Sequence, residues 1–192
     1  MTKAANKAIA ALALPALILM LKCEFLATFS NAQIPDITKF YDSGETIWTV
    51  NTTMETKKFC KVDFVNETNA TDTYFERCYF FEDIMQKEFL HGKFMTASLD
   101  RTRTAIYDTM ILEFQNGTTY GWIERLLHEY GNYQCGVFLV SSSPKLESNY
   151  YDVRLKQSTI QHPNSSCVQK FQELVNGSLI TTMYNNSCQQ TR

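Results

Sequence analysis

From about residue 46 onward, apolar and polar residues alternate with a period of two, the pattern of strands that bury one face. Eight such stretches stand out: Thr46–Thr52, Phe59–Val65, Thr73–Phe81, His91–Leu99, Ala105–Phe114, Thr119–His128, Tyr133–Val140 and Tyr150–Lys156. Each is rich in β-branched and aromatic residues and is bounded by turn formers. Asn116-Gly117 is the strongest hairpin signal, because both residues tolerate φ > 0. A Ser/Pro turn over Ser141 to Asn149 joins the last two strands. The period changes to a helical one after Pro163, where Val168, Phe171, Leu174 and Val175 fall on one face of Ser166–Val175. Ile34–Tyr41 reads as a short helical opening, and Glu82–Glu88 stays open between a loop and a helical turn.

Strands in meander order followed by one helix predict an all-β, eight-stranded antiparallel up-and-down barrel with a C-terminal α-helix outside it. A β-sandwich is the alternative. An eight-stranded barrel has room for one small ligand, so candidate site residues are those facing inward. With Asn51 outward, alternation sends Trp48, Val50 and Thr52 inward. With Cys135 turned toward the helix, Gly136, Phe138 and Val140 point in; with Tyr151 out, Tyr150, Asp152 and Arg154 point in. The candidate pocket wall is therefore Trp48 and Val50, then Phe94, Met110 and Leu112, then Trp122, Phe138 and Tyr150, with Asp152 and Arg154 as its polar groups. Aromatic residues make up 13% of the chain, but they also fill ordinary cores.

The first 32 residues stand apart. Lys3 and Lys7 precede an apolar run from Ala8 to Leu21, and Ser30-Asn31-Ala32 offers a small-residue cleavage site. This is the layout of a secretory signal peptide, which predicts a secreted, extracellular protein whose remaining domain spans 33–192. No later apolar run suits a membrane span, so no membrane anchor is expected. The formal charge is −2, and loss of the leader takes three lysines and one glutamate with it, leaving −4. Such a chain has no electrostatic footprint for nucleic acid. Export makes disulfides expected among Cys60, Cys78, Cys135, Cys167 and Cys188, with one cysteine left over. Their spacing fits no zinc template, and no metal or cofactor is expected. Asn51, Asn66, Asn69, Asn116, Asn164, Asn176 and Asn185 each head an N-x-[ST] sequon, which predicts a glycoprotein with these side chains at the surface. His91, His128 and His162 lie apart, at expected surface or loop positions, and no nucleophile elbow or H-E-x-x-H is present, so no enzyme is expected.

The secretory leader, the opening Asp36-Ile37-Thr38-Lys39-Phe40-Tyr41-Asp42-Ser43 with Ile47-Trp48-Thr49, and the later Cys135-Gly136-Val137-Phe138 and Tyr151-Asp152-Val153-Arg154 together resemble the tick salivary lipocalins. That family contains the tick histamine-binding proteins, and the pattern resembles its japanin-like immunomodulatory branch. The Gly-x-Trp pattern of vertebrate lipocalins is absent, since Gly44 lies four residues before Trp48. The resemblance implies disulfides Cys60–Cys188 and Cys135–Cys167, with Cys78 left as a buried free thiol or an intermolecular partner. Amine-binding members carry Cys-Asp-[Val/Ile/Leu] and Glu-Leu-[Trp/Tyr] motifs on the last two strands. Here Gly136 replaces the first acid, Asp152 keeps the second, and Arg154 replaces the aromatic. The resemblance, with these departures, implies a broken amine site and a mainly hydrophobic ligand: a sterol, fatty acid or lipid mediator. Gly136 is expected to open room for it, and Arg154, if free, to take a carboxylate head. Two alternatives stay open. One is a scavenger of biogenic amines, histamine or serotonin, using Asp152 with acids among Asp63, Glu76, Asp108 and Glu124. The other is an immune modulator that presents loops and outer faces to a host immune protein or cell-surface receptor, with the barrel as scaffold.

Overall fold

The computed structural model describes residues 34–96, 106–142 and 149–190. The segment read above as a secretory leader with its cleavage site, the loop over 143–148, and the ends assigned above to strands at 97–99 and 105 lie outside the described residues. Each described strand follows the period-two pattern: β1 (Thr46–Thr52), β2 (Lys58–Thr68), β3 (Asp72–Phe81), β4 (Ile84–Met95), β5 (Thr109–Phe114), β6 (Thr119–Tyr130), β7 (Cys135–Ser142) and β8 (Asn149–Lys156). Each pairs antiparallel with the next, and β1 closes the ring by pairing with both β8 and β2 (Trp48 with Leu155 and with Val62). Closure through β1 leaves no free sheet edge over Thr46–Trp48, so the architecture is an eight-stranded antiparallel barrel rather than a sandwich. A two-residue strand, β9 (Thr181–Thr182), adds to β1 beside Asn51.

Two short or shifted elements depart from the sequence reading. The opening helix, α1, is only Ile37–Phe40, capped by the Asp36 carboxylate accepting from the Thr38 N–H. Glu82–Glu88 is neither loop nor helical turn. Glu82 and Asp83 take φ of 50° and 63°, making a two-residue hairpin turn that pairs Phe81 with Ile84. β4 therefore starts at Ile84 rather than His91. β5 starts at Thr109, with 106–108 outside it. Tyr133 belongs to the β6–β7 turn at φ 64° rather than to β7.

The barrel wall separates two apolar layers. Inside lie Ile37, Phe40, Phe75, Leu90, Leu126 and Phe138 with their neighbours. Outside, α2 (Ser165–Val175) buries the stripe Cys167, Phe171 and Val175 against Val137, Val153 and Leu155. Asn164 caps α2, its side-chain oxygen accepting from the Cys167 N–H at 3.2 Å. The Cys135–Cys167 disulfide fastens the helix to β7, and Cys60–Cys188 fastens the C-terminal segment to β2. Closing loops of 32 and 128 residues stabilises by roughly 3–5 kcal/mol each on the chain-entropy account.

Trp48 and Val50 belong to the outer layer, which corrects their assignment to the pocket wall. The premise was sound at one end: Asn51 pairs with outward Val153 and Thr52 with inward Asp152. A β-bulge at Val50 then adds one residue between Thr49 and Asn51, and an extra residue reverses the side-chain parity upstream. Trp48 is consequently turned outward, where its indole N–H donates to Gln157 at 2.6 Å and its ring meets Tyr184 edge-on.

Candidate ligand site at the barrel mouth

Among the buried charges on the inner face of the barrel, six form one group at strand positions that the pleat turns inward: Lys61 and Asp63 on β2, Arg77 on β3, Glu124 on β6, and Asp152 and Arg154 on β8; Lys156, also buried on β8, bonds instead to Glu45 and the Lys39 carbonyl. Arg77 makes a two-pronged bond to Asp63, both contacts at 2.7 Å, and reaches Glu124 at 2.9 Å. Arg154 donates to Glu124, to Asp152 at 2.8 Å and to the Tyr41 hydroxyl at 2.6 Å. The Tyr41 hydroxyl in turn donates to Asp63 at 2.8 Å. Three acids and three bases thus form one connected, charge-balanced network. Fork-shaped guanidinium pairs of this kind are the form in which charge is tolerated away from water.

The ionisation states follow from these contacts. Burial opposes ionisation of Glu124, but Arg154 and Arg77 outweigh it and hold its carboxyl well below the usual range. Burial likewise opposes ionisation of Asp152, and Lys61 and Arg154 bring it below the usual range. Burial lowers Lys61 to about 8, against the pull of Asp152. Burial pushes the Tyr41 phenol well up. Asp152 is loaded on one side only. Its Oδ2 accepts from Lys61 at 3.2 Å and from two nitrogens of Arg154, at 3.2 and 2.8 Å, while Oδ1 has no hydrogen-bond partner. The Thr52 hydroxyl, opposite on β1, also helps hold this carboxylate low, though it makes no hydrogen bond of ordinary geometry to Oδ1.

Beneath the network, toward α1, apolar side chains close around Gly136. A Cβ on Gly136 would lie 2.8 Å from Phe138 and Phe40 ring atoms and 2.9 Å from Leu126. The expectation that Gly136 opens room for a guest is therefore wrong: neighbouring rings fill the place of the missing side chain. The Arg154 guanidinium lies 4.5 Å from the Phe138 ring centroid and is fully buried in ion pairs with Asp152 and Glu124, so the condition for taking a carboxylate head, a free Arg154, is not met.

Above the network, toward the barrel end opposite α1, a recess of about 40 Å³ is lined by Met54, Trp122 and Tyr150 over Lys58, Lys61, Arg77 and Glu124. Trp122 and Tyr150 meet edge-on at 5.8 Å. The Lys58 ammonium sits 4.0 Å over the Tyr79 ring, whose hydroxyl donates to Glu88. Farther out on the same alternation as Arg77 and Tyr79, Phe81 is 41% exposed, and its hairpin partner Ile84 is 65% exposed.

Of the residues singled out from sequence, Tyr150 and Trp122 line this recess and Asp152 and Arg154 belong to its floor network. Phe94, Met110, Leu112 and Phe138 belong to the interior apolar layer. Asp63 and Glu124 join the network. Asp108 is buried and pairs with Arg125, and Glu76 faces outward, bonded to Lys87 and to the Cys78 thiol. Cys78 is a buried free thiol in the outer layer, pushed up to about 12 by burial and by Glu76, which leaves no thiolate for exchange chemistry near neutral pH. Tyr41, Met54, Lys58, Lys61 and Arg77 were not foreseen. A signal for some of them existed: Lys61/Asp63 and Asp152/Arg154 are opposite charges two apart in strands, which puts each pair on one face. Among the sequons Asn51 is half-buried between β8 and β9, and the other six asparagines are exposed. His91 and His128 sit in strands and His162 is exposed, without converging. Among the described residues no cluster suits a metal ion and no helix is long and apolar enough to cross a membrane.

No protein-family profile and no curated protein sequence matches this chain. Solved structures do. The serotonin complex of AM182 superposes with a TM-score of 0.56 at 13% identity, over 83% of this chain and 97% of that one. Japanin from Rhipicephalus appendiculatus bound to cholesterol gives 0.53 at 8% identity, over 79% and 99%. The siderocalin Ex-FABP, described as having dual ligand specificities, gives 0.54 at 6% identity, over 76% and 91%. At these identities the likeness speaks for architecture, and the closed eight-stranded barrel with its external helix is a lipocalin fold.

Proposed function

We propose that this protein is a secreted binding protein whose barrel mouth takes a small, mainly hydrophobic ligand with one polar head. The observation that carries the reading is the layering of the mouth. An exposed apolar rim of Phe81 and Ile84 leads to the Trp122–Tyr150 collar, and the collar covers a buried polar floor. A ligand body would lie against the rim and collar, with its head on the floor. The recess now has space for about one water, so binding requires Met54, Trp122 and Tyr150 to swing outward. The neighbours' cholesterol and serotonin complexes support small-molecule binding as the use of this fold.

The charge of the recess supports one of the ligand classes weighed above. Lys61 and Arg77 are already paired with Asp152, Asp63 and Glu124, and Lys58 adds a cation at the recess wall, which disfavours histamine or serotonin and favours a lipid whose head accepts hydrogen bonds. The secretory leader, the two disulfides and the resemblance to tick salivary lipocalins support sequestration of a host lipid mediator, and with it modulation of the host response, as the biological role. Native mass spectrometry before and after organic extraction tests the reading. A lipid released by extraction and taken up again at one per chain is the expected result; no lipid before extraction and no uptake afterwards would overturn it.

A further inference from the structure

Resting on that reading of the mouth, we propose that the ligand's polar head is a neutral hydroxyl, which donates its proton to Asp152 Oδ1 and accepts from the Lys61 ammonium. The floor offers one unmet acceptor and spare donors side by side. Asp152 is fully buried, and all three of its hydrogen bonds fall on Oδ2, leaving Oδ1 without a donor. An acceptor left bare in the interior destabilises the fold, and more so when it is charged. Lys61 spends one N–H on Asp152 and an ammonium carries three, so two remain.

Position makes the pair reachable. Lys61 lines the recess, and so does Tyr150, which stands two residues before Asp152 on the same face of β8. Asp152 is thus the next inward residue below the recess. Charge then selects the head. Lys61, Arg77 and Arg154 already balance Asp63, Glu124 and Asp152, and Lys58 at the recess wall has Glu88 near it. An added ammonium would meet three buried cations, and an added carboxylate three buried anions, each with its own desolvation cost. A hydroxyl adds no charge and is the group whose single oxygen both donates and accepts.

The test uses the intact, disulfide-bonded protein and a set of ligands that share one tail: dodecanol, dodecyl methyl ether, dodecylammonium and dodecanoate, each titrated by calorimetry. The expected order places dodecanol first, about 10-fold or more tighter than its ether, because a site built to hydrogen-bond a hydroxyl rejects the analogue that lacks its proton. Both ions bind more weakly than dodecanol. Equal binding of alcohol and ether would overturn the hydroxyl assignment while leaving mouth binding intact. Tighter binding of dodecanoate or dodecylammonium would overturn it in favour of an acid or an amine head. Failure of all four to bind would remove the mouth reading itself, and this inference with it. No substitution is needed, so no outcome is confounded by loss of the fold.

Discussion

β8 has two buried faces, and they are opposites. Outward, Val153 and Leu155 lie under α2 in an apolar layer that a disulfide fastens to the sheet. Inward, Asp152 and Arg154 sit in a charged network that no disulfide crosses. A small barrel ordinarily fills its interior with apolar side chains. The difference indicates a division of labour. The outer layer stabilises, because apolar burial gains free energy at every contact. The inner network roughly breaks even, since desolvation offsets its attraction, but it holds polar groups in fixed places where a ligand can use them.

The sharpest way to break the comparison is to unbalance the inner face. Arg154→Met strands Glu124 and Asp152 without their shared cation, and a loss of about 3–5 kcal/mol is expected in urea unfolding. On the outer face, replacing Cys135 and Cys167 together by Ser releases α2 at a cost near 3 kcal/mol, with near-ultraviolet dichroism of the barrel interior retained. Leu155→Ala, deeper in the same layer, costs about 2–4 kcal/mol by cavity formation. Its effect is independent of pH, whereas that of Arg154→Met shrinks in acid.

A smaller effect lies in the pH dependence itself. Glu124 and Asp152 are held low in the folded state, so the unfolded chain takes up protons first as pH falls. Their contribution is present above the ordinary carboxylate pKa of about 4 and is lost as pH drops through the folded values. Lys61 adds a second limb of the same slope at alkaline pH. Folded, it releases its proton near 8, against 10.5 for the free side chain; between those values the unfolded chain binds the extra proton, and stability rises with pH. Chemical denaturation from pH 3 to 10 reads both limbs, and a flat profile would contradict the ionised network.

How far the sequence disclosed this arrangement depended on parity. The barrel, the external helix and the inward facing of Phe138, Tyr150, Asp152 and Arg154 followed from alternation. Trp48 and Val50 did not, because one bulge residue at Val50 reverses every position before it. Lys61 and Arg77 stayed hidden because a charged residue in a strand normally marks the solvent face. Only the i, i+2 spacing of opposite charges on β2 and β8 hinted that the polar side was the inside. The effect of Gly136 was misjudged because a missing side chain signals space only when its neighbours leave it empty, and here Phe40, Phe138 and Leu126 close over it.

The two tryptophans lie on opposite sides of the wall, and this gives the most direct test. Trp48 is sealed in the outer layer, while Trp122 stands at the mouth. In a Trp48→Phe variant the fluorescence reports Trp122 alone. The account predicts that titration with a hydroxyl-bearing lipid quenches or shifts this emission saturably at one ligand per chain, and that Trp122→Phe with Trp48 kept stays silent. A saturable response from Trp48 with none from Trp122 would place the site outside the barrel and contradict the account.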